Sequence, residues 1–407
     1  MPSPDHAKLK RSVNLPMLLF YGLGNIFGAG IYVLVGEMAG VAGIYIPFSF
    51  LLACVVVLFS AMSYAELSAR FPLSAGEAVY VYEGFGFTIL STGVGVLIAS
   101  AGLLSSATIL HGFHGYLSTF IALPESVTIL TVVGVLSMIA IWGITQSMVF
   151  AFALTLAEMV GLVMVIYVGA GYIEPDRIPF EAMIPPLEFS VLNTIVLGAF
   201  LAFYAFIGFE DMVNIAEEVK NPTKTMPRAI ILTLLIATLF YISVAVVSVL
   251  VVPPEILAES VAPLAKVYET ATGKSAEVLS LIAMVAVING ALIQIIMVSR
   301  ILYGMSKQGW LPGFLGTVHP KTHTPVTSTI LAGGFVFLLA AFFELLTLAQ
   351  FTSFVIFLVF TLVNLSLIFV KRKNPHPTGV RSYPLFVPVT AILLNLILLG
   401  FQIVSMI

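Results

Sequence analysis

The run Gly22-Leu-Gly24-Asn25-Ile-Phe-Gly28-Ala-Gly30-Ile-Tyr32 sits inside an otherwise apolar segment that begins at Leu15, and the way it folds decides the architecture of the chain. Glycine costs about 1 kcal/mol per helix-interior position relative to alanine. Glycine at 22, 24, 28 and 30, with the helix-averse Asn25 among them, predicts an interruption partway along the segment. Close packing of helices through small residues is the competing explanation of the glycines, but packing alone has no need of Asn25.

The surroundings of that run are apolar almost everywhere. Of 407 residues, 60% are hydrophobic and only 9% charged, with a mean hydropathy of +1.11. A soluble chain carries about 25% charged residues, so this composition implies an integral membrane protein. The net charge of -3 argues against a basic surface that tracks nucleic-acid phosphates. Cys54 is the single cysteine, which excludes intrachain disulfides and thiolate metal sites. The polar stretch Met1–Asn14 contains Lys8, Lys10 and Arg11 and is followed by no small-residue cleavage site, so the segment from Leu15 reads as a retained first span.

Near-continuous apolar stretches of about 20 residues, the length that crosses a bilayer, recur eleven times: roughly 15–43, 44–69, 88–120, 126–143, 149–172, 190–216, 228–252, 277–305, 326–345, 348–370 and 384–406. Alternating ten-residue strands of the kind that build a membrane barrel are absent. Cationic joints resist translocation. With the N-terminus cytoplasmic, the inner joints hold Lys8, Lys10, Arg11, Arg70, Lys220, Lys224, Arg228, Arg300, Lys307, Lys321, Lys371, Arg372, Lys373 and Arg381, while the outer ones hold only Arg177, Lys266 and Lys274. An odd number of spans then places Ile407 outside.

A second candidate break lies in the sixth span, at Phe203-Tyr-Ala-Phe-Ile-Gly208-Phe-Glu210-Asp211. Five spans separate it from the first, so the second group of five inserts upside down relative to the first group. Inverted repeats that each open with a discontinuous helix point to a secondary transporter with a site near the bilayer midplane. The chain is then one transmembrane domain over 1–407, with a first repeat at 15–172, a second at 190–371 and an appended helix at 384–406.

The stretch from Gly22 to Glu37 resembles the first helix of the amino acid/polyamine/organocation permeases, in particular bacterial or archaeal carriers of basic or neutral amino acids. Three further stretches agree in order and spacing: Phe203 to Glu210, Glu217-Glu-Val-Lys-Asn-Pro-Thr-Lys-Thr-Met-Pro-Arg228, and Arg300-Ile-Leu-Tyr-Gly-Met-Ser-Lys-Gln-Gly-Trp-Leu-Pro312 with Thr324-Pro-Val326. The resemblance implies an all-α membrane protein of the leucine-transporter type, a 5+5 inverted repeat with discontinuous helices 1 and 6 and eleven transmembrane helices, carrying amino acids by alternating access in the plasma membrane.

At such breaks, free N–H groups of Gly28, Ala29, Gly30 and Ile31 suit a carboxylate at the positive end of a half-helix. The carbonyls of Ile26, Tyr204, Ala205 and Ile207 are expected to take the ammonium. By similarity Phe209 matches an aromatic gate that closes over substrate; ordinary packing is its other reading. Leu103, Ile109, Met284, Ile288 and Met297 are the candidate wall for the substrate side chain, and their apolar character points to neutral amino acids. No cofactor or metal is expected, and oligomeric state is not legible.

Glu158 stands alone within Phe150-Ala-Phe-Ala-Leu-Thr-Leu-Ala-Glu158-Met-Val. An acid at membrane depth costs about 2.5–3.5 kcal/mol on insertion scales and faces the bundle interior or a functional path, and a carboxyl withdrawn from water favours its uncharged form. In several relatives the matching position is a lysine whose ammonium stands in for sodium. Three roles stay open here: proton carrier, cation ligand, or hydrogen-bonded structural acid. Coupling is expected to be to protons, with sodium coupling or exchange as the alternative. A membrane-embedded enzyme using Glu158 with His111 or His114, and a channel, are the rivals of a different class.

Other polar residues read as structural. Glu37, Glu66 and Glu344 fall near span ends, and Arg300 either pairs with Glu217 or Glu218 or anchors in water. Gly273-Lys-Ser275 lacks the glycine a phosphate loop needs at position 268, which is Tyr268, and the glycine a dinucleotide turn needs at 27 is Phe27. ATP bound to this chain is therefore not the expected fuel.

Overall fold

The computed structural model describes residues 9–406 apart from 119, 174–182, 261 and 376. Lys8 and Arg177 lie outside the described residues. Helices account for all the regular structure, in the order α1 Leu15–Phe27, α2 Ala29–Ala42, α3 Ile46–Arg70, α4 Gly76–Phe85, α5 Thr88–Ser118, α6 Glu125–Trp142, α7 Ile144–Tyr172, α8 Phe189–Phe206, α9 Pro222–Val251, α10 Pro254–Ala258, α11 Pro263–Thr272, α12 Glu277–Lys307, α13 Val326–Phe342, α14 Leu345–Lys373 and α15 Phe386–Met406. Among the described residues 9 helical stretches are long and apolar enough to cross a membrane, and Val326–Phe342 and Phe386–Gly400 are shorter apolar helices.

The first stretch starts where the sequence provides a start. The Asn14 side chain accepts the Met17 N–H at 3.0 Å and Pro16 occupies the first turn, where its missing N–H removes no helical bond. The expected interruption is present but short: only Gly28 falls between α1 and α2. Gly22 and Gly24 remain helical, so both explanations of the glycines hold, each at different positions. Gly30 illustrates the packing role, because a Cβ there would stand 2.8 Å from Ala205 Cα.

The sixth stretch breaks differently. After Phe206 the chain passes through extended Ile207 and then Gly208 at φ 125, a conformation L side chains avoid. It resumes as a 3-10 helix, Glu210–Glu218, rather than as an α-helix. The segments before α1 and after this 3-10 helix meet in a parallel bridge between Val13 and Val219, with Lys220 N donating to Val13 O at 2.8 Å and Val13 N donating to Glu218 O at 3.0 Å.

α12 runs through the middle of the bundle, with 78% of its apolar window buried, whereas α6 and α7 are at 28% and 33%. Their outward side chains, such as Leu130, Met138, Trp142, Val160 and Tyr167, are exposed and apolar, the surface expected to meet lipid. α3 packs on α8 and α9, and α5 on α12 and α14, while α1 packs on α7, α9 and α12 and α2 on α8. The amphipathic α4, between the second and third apolar stretches, is an element the apolar-run reading does not contain.

Candidate functional site

The two breaks face each other. Asn25, one turn before the first, donates to Gly208 O at 3.0 Å, and a side chain at 208 would collide with it. Tyr241, from α9, completes the junction: its hydroxyl lies 2.5 Å from Ile26 O and 2.7 Å from Ala205 O, so one proton serves in turn two carbonyls freed by the breaks. On the far side of Gly28, the first-turn N–H groups of Ala29, Gly30 and Ile31 begin α2 with no side-chain cap, which leaves donors at the positive end of a buried half-helix.

The expected site residues are thus brought together, with some reassigned. Ile26, Gly28, Gly30, Ile31, Ala205 and Phe209 are buried, and Tyr204 and Ile207 partly so. Tyr204 O accepts the Ile207 N–H at 3.1 Å. Phe209 is seated in an aromatic group, with ring centroids 5.5 Å from Tyr64 and 5.4 Å from Phe360. Of the expected apolar wall, Met297 lines a small cavity beside the second break, and Leu103, Ile109, Met284 and Ile288 do not.

Glu158 is fully buried on α7. Asn289 of α12 donates to its Oε1 at 2.9 Å and to Thr155 Oγ1 at 2.9 Å, and Tyr32 of α2 donates to the Glu158 carbonyl at 2.8 Å. Among the described residues Glu158 Oε2 and Asn289 Oδ1 have no hydrogen-bond partner. A buried carboxyl with one satisfied and one unsatisfied oxygen is chemically able to hold a proton or, with the amide oxygen, a small cation.

A second polar group, built on Glu210 and Asp211 after the sixth-helix break, adjoins the breaks. Asp211 Oδ2 accepts from Asn25 at 2.5 Å and from Gln294 of α12 at 2.7 Å, and Glu210 Oε2 accepts the Gly208 N–H at 2.8 Å. Beneath them Asn214 accepts the Gly76 N–H at 3.0 Å, bringing buried Glu77 of α4 under the 3-10 helix. Burial pushes the Glu77 carboxyl up to about 8, with Asp211 adding to the rise; Asn214 is near enough to temper it without hydrogen bonding either oxygen.

Of the acids near span ends, Glu37 and Glu344 are exposed but Glu66 is not. Glu66 is fully buried and accepts from Lys371 at 2.7 Å, from Arg70 at 2.6 Å and from Tyr383 N at 2.8 Å, tying α3 to α14 and to the segment before α15. Arg300 is paired with Glu218 at 3.3 Å, both with no exposure, so it is not a solvated anchor; Glu217 instead accepts the Ser74 N–H. His111 contacts Glu125 at 2.7 Å and Phe343 O at 3.1 Å. It shares no partner with Glu158, and among the described residues no cluster of three ligands fit for a metal occurs.

The sequence matches the family described as amino acid permease over residues 14–407. It is 29% identical over 392 residues to the branched-chain amino acid permease BcaP of Bacillus subtilis, covering 90% of this chain and 82% of that one. It is 28% identical to the methylthioribose transporter of the same organism, over 95% and 86% of the two chains, and 28% identical to cationic amino acid transporter 3 of Arabidopsis thaliana, over 91% and 64%. A Na+-coupled sialic acid symporter, solved in a substrate-bound outward-open state, superposes with a TM-score of 0.60 at 12% identity, over 94% of this chain and 89% of that one.

Proposed function

The chain belongs to the amino acid permease family, and from that premise we propose that it is a secondary active carrier that takes up neutral amino acids together with protons. The observation that carries this reading is the meeting of two interrupted helices at Ile26–Ile31 and Ile207–Phe209, bridged by Tyr241. Uncapped N–H groups of Ala29, Gly30 and Ile31 offer a place for the substrate carboxylate without any charged side chain.

In this reading the eleven apolar helices form two inverted repeats, 15–172 and 190–371, plus the helix at 384–406. The N-terminus is cytoplasmic and the C-terminus external in the plasma membrane. The two repeats rock about the paired breaks, and Phe209 closes over the bound substrate. A relative named for branched-chain amino acids supports a neutral substrate side chain.

Glu158 carries the proton. It is buried, it has one free oxygen, and Tyr32 and Asn289 connect it to the helices on both sides of the site. The free oxygens of Glu158 and Asn289 also favour a second reading, in which a sodium ion binds between them. One experiment separates the two. Proteoliposomes are assayed for uptake of labelled amino acids under an inward proton gradient, with and without sodium. Proton-driven accumulation that Glu158→Gln abolishes, while substrate binding survives, supports the first reading. Accumulation that requires sodium supports the second, and no uptake of any amino acid under either gradient overturns both.

A further inference from the structure

This inference rests on the carrier reading above and concerns the place of the substrate's ammonium group. Of the four carbonyls expected to receive it, those of Ile26 and Ala205 already face the Tyr241 hydroxyl and that of Tyr204 accepts the Ile207 N–H, while Ile207 itself lines the cavity beside the second break. Next to them lies the small cavity lined by Gly102, Ser105, Ile207, Asp211, Gln294 and Thr352 among others. It opens directly beside the second break and between α5, α12 and α14.

Two of its walls present acceptors that the protein leaves without a counter-charge. Asp211 is 2% exposed and Gln294 5% exposed. The donors on Asp211 Oδ2 are the amide groups of Asn25 and Gln294, which orient a carboxylate without neutralising it. Among the described residues no ion pair includes Asp211 or its neighbour Glu210. With its N–H group turned to Asp211, Gln294 keeps a buried Oε1 with no donor. That oxygen is aimed at the α5 wall of the cavity, since a Cβ on Gly102 would stand 2.8 Å from it. A carboxylate and an amide oxygen side by side are complementary to a group that has several N–H donors and a positive charge.

We propose that Asp211 and Gln294 form the ammonium subsite of this carrier. The carboxylate is then recognised at the start of α2 and the ammonium by a side-chain acid across the paired breaks. Because the charge partner of the ammonium is Asp211 itself, a primary amine with the same apolar skeleton but no carboxylate is also a ligand.

The test is ligand binding to the purified full-length protein, followed by thermal shift and calorimetry, with leucine, isoamylamine, sodium chloride and potassium chloride as probes. Wild type is expected to bind both leucine and isoamylamine. Asp211→Asn should weaken both by about tenfold or more, the loss of a charge-assisted hydrogen bond. Gln294→Met, which removes the free amide oxygen at nearly equal volume, should weaken both as well; unchanged affinity in that variant overturns the proposal where Asp211→Asn fails to fold. Unchanged leucine affinity in a folded Asp211→Asn protein overturns the proposal. Stabilisation by sodium that depends on Asp211, with leucine affinity unchanged, overturns it in favour of an inorganic cation site. Leucine binding with no amine binding overturns the proposal while leaving the carrier reading standing. A wild type that binds neither leucine, nor other amino acids, nor amines overturns the carrier reading and this subsite with it.

Discussion

The two breaks do the same job by different means. In the first, the helix stops for the single residue Gly28 and restarts as an α-helix, and its flanks are apolar and closely packed. In the second, an extended residue and a glycine at φ 125 lead into nine residues of 3-10 helix that begin with two buried acids. The first break is a matter of how closely backbones approach, and the second of conformation and charge. At the first break Gly28 itself has room for a Cβ while Gly30 beside it has none; at the second, Gly208 is fixed both by its positive φ and by Asn25.

The largest effect that would sharpen this contrast is expected from Gly208→Ala. Strain at a positive φ plus the collision with Asn25 should cost on the order of 2–5 kcal/mol and eliminate uptake, seen as a fall in melting temperature in detergent. Survival of transport in that variant would break the contrast outright. Next comes the charge side of the second break. Glu77 keeps its proton when folded up to about pH 8 but releases it near pH 4.3 when unfolded. Its contribution to stability is therefore fully present below pH 4.3, falls as pH rises and is exhausted by about pH 8. Glu77→Gln should remove about 4 kcal/mol of that pH dependence between pH 5 and 8, read as melting temperatures that no longer diverge over that range.

Tyr241→Phe affects both breaks, because it leaves buried carbonyls without a donor. A loss of about 1–2 kcal/mol is expected, together with a raised KM for uptake. The smallest effect should be that of Gly28→Ala: its Cβ would meet nothing closer than 3.6 Å, so a change below about 1 kcal/mol with near-normal transport is expected. A Gly28→Ala defect as large as that of Gly208→Ala would show that the first break depends on conformation after all.

Both breaks were legible because glycine and asparagine inside an apolar run have few explanations. Their relation was not. Asn25 is readable as a poor helix former, but nothing in its neighbours announces that its partners are Gly208 and Asp211. Tyr241 of α9 and Asn289 and Gln294 of α12 are polar residues scattered among others in long apolar helices, where composition offers no reason to prefer them over their neighbours. Glu158 stood out because a charge in such a run is costly. Asp211 and Glu210 were legible as acids that follow the sixth-helix break and could shape an inner gate, but Asp211 was not legible as the partner of Asn25 and Gln294. The partnership of Glu66 with Lys371 joins opposite ends of the chain, and α4 is shorter than a membrane span and begins after Ala75 at φ 58, so neither leaves a periodic trace.

The bridge between Val13 and Val219 bears on the order in which the chain is assembled. Residues ahead of the first helix leave the ribosome first, yet their partners belong to the segment after the sixth apolar stretch. Closing so long a loop carries an entropic penalty that grows only slowly with its length, but during synthesis the limit is availability rather than entropy. The leading segment remains without its partner until the second half has begun to insert. Docking of the halves is thus a late, checkable event: a nascent chain halted before Val219 would leave its first residues open to protease, and one halted well beyond it would protect them.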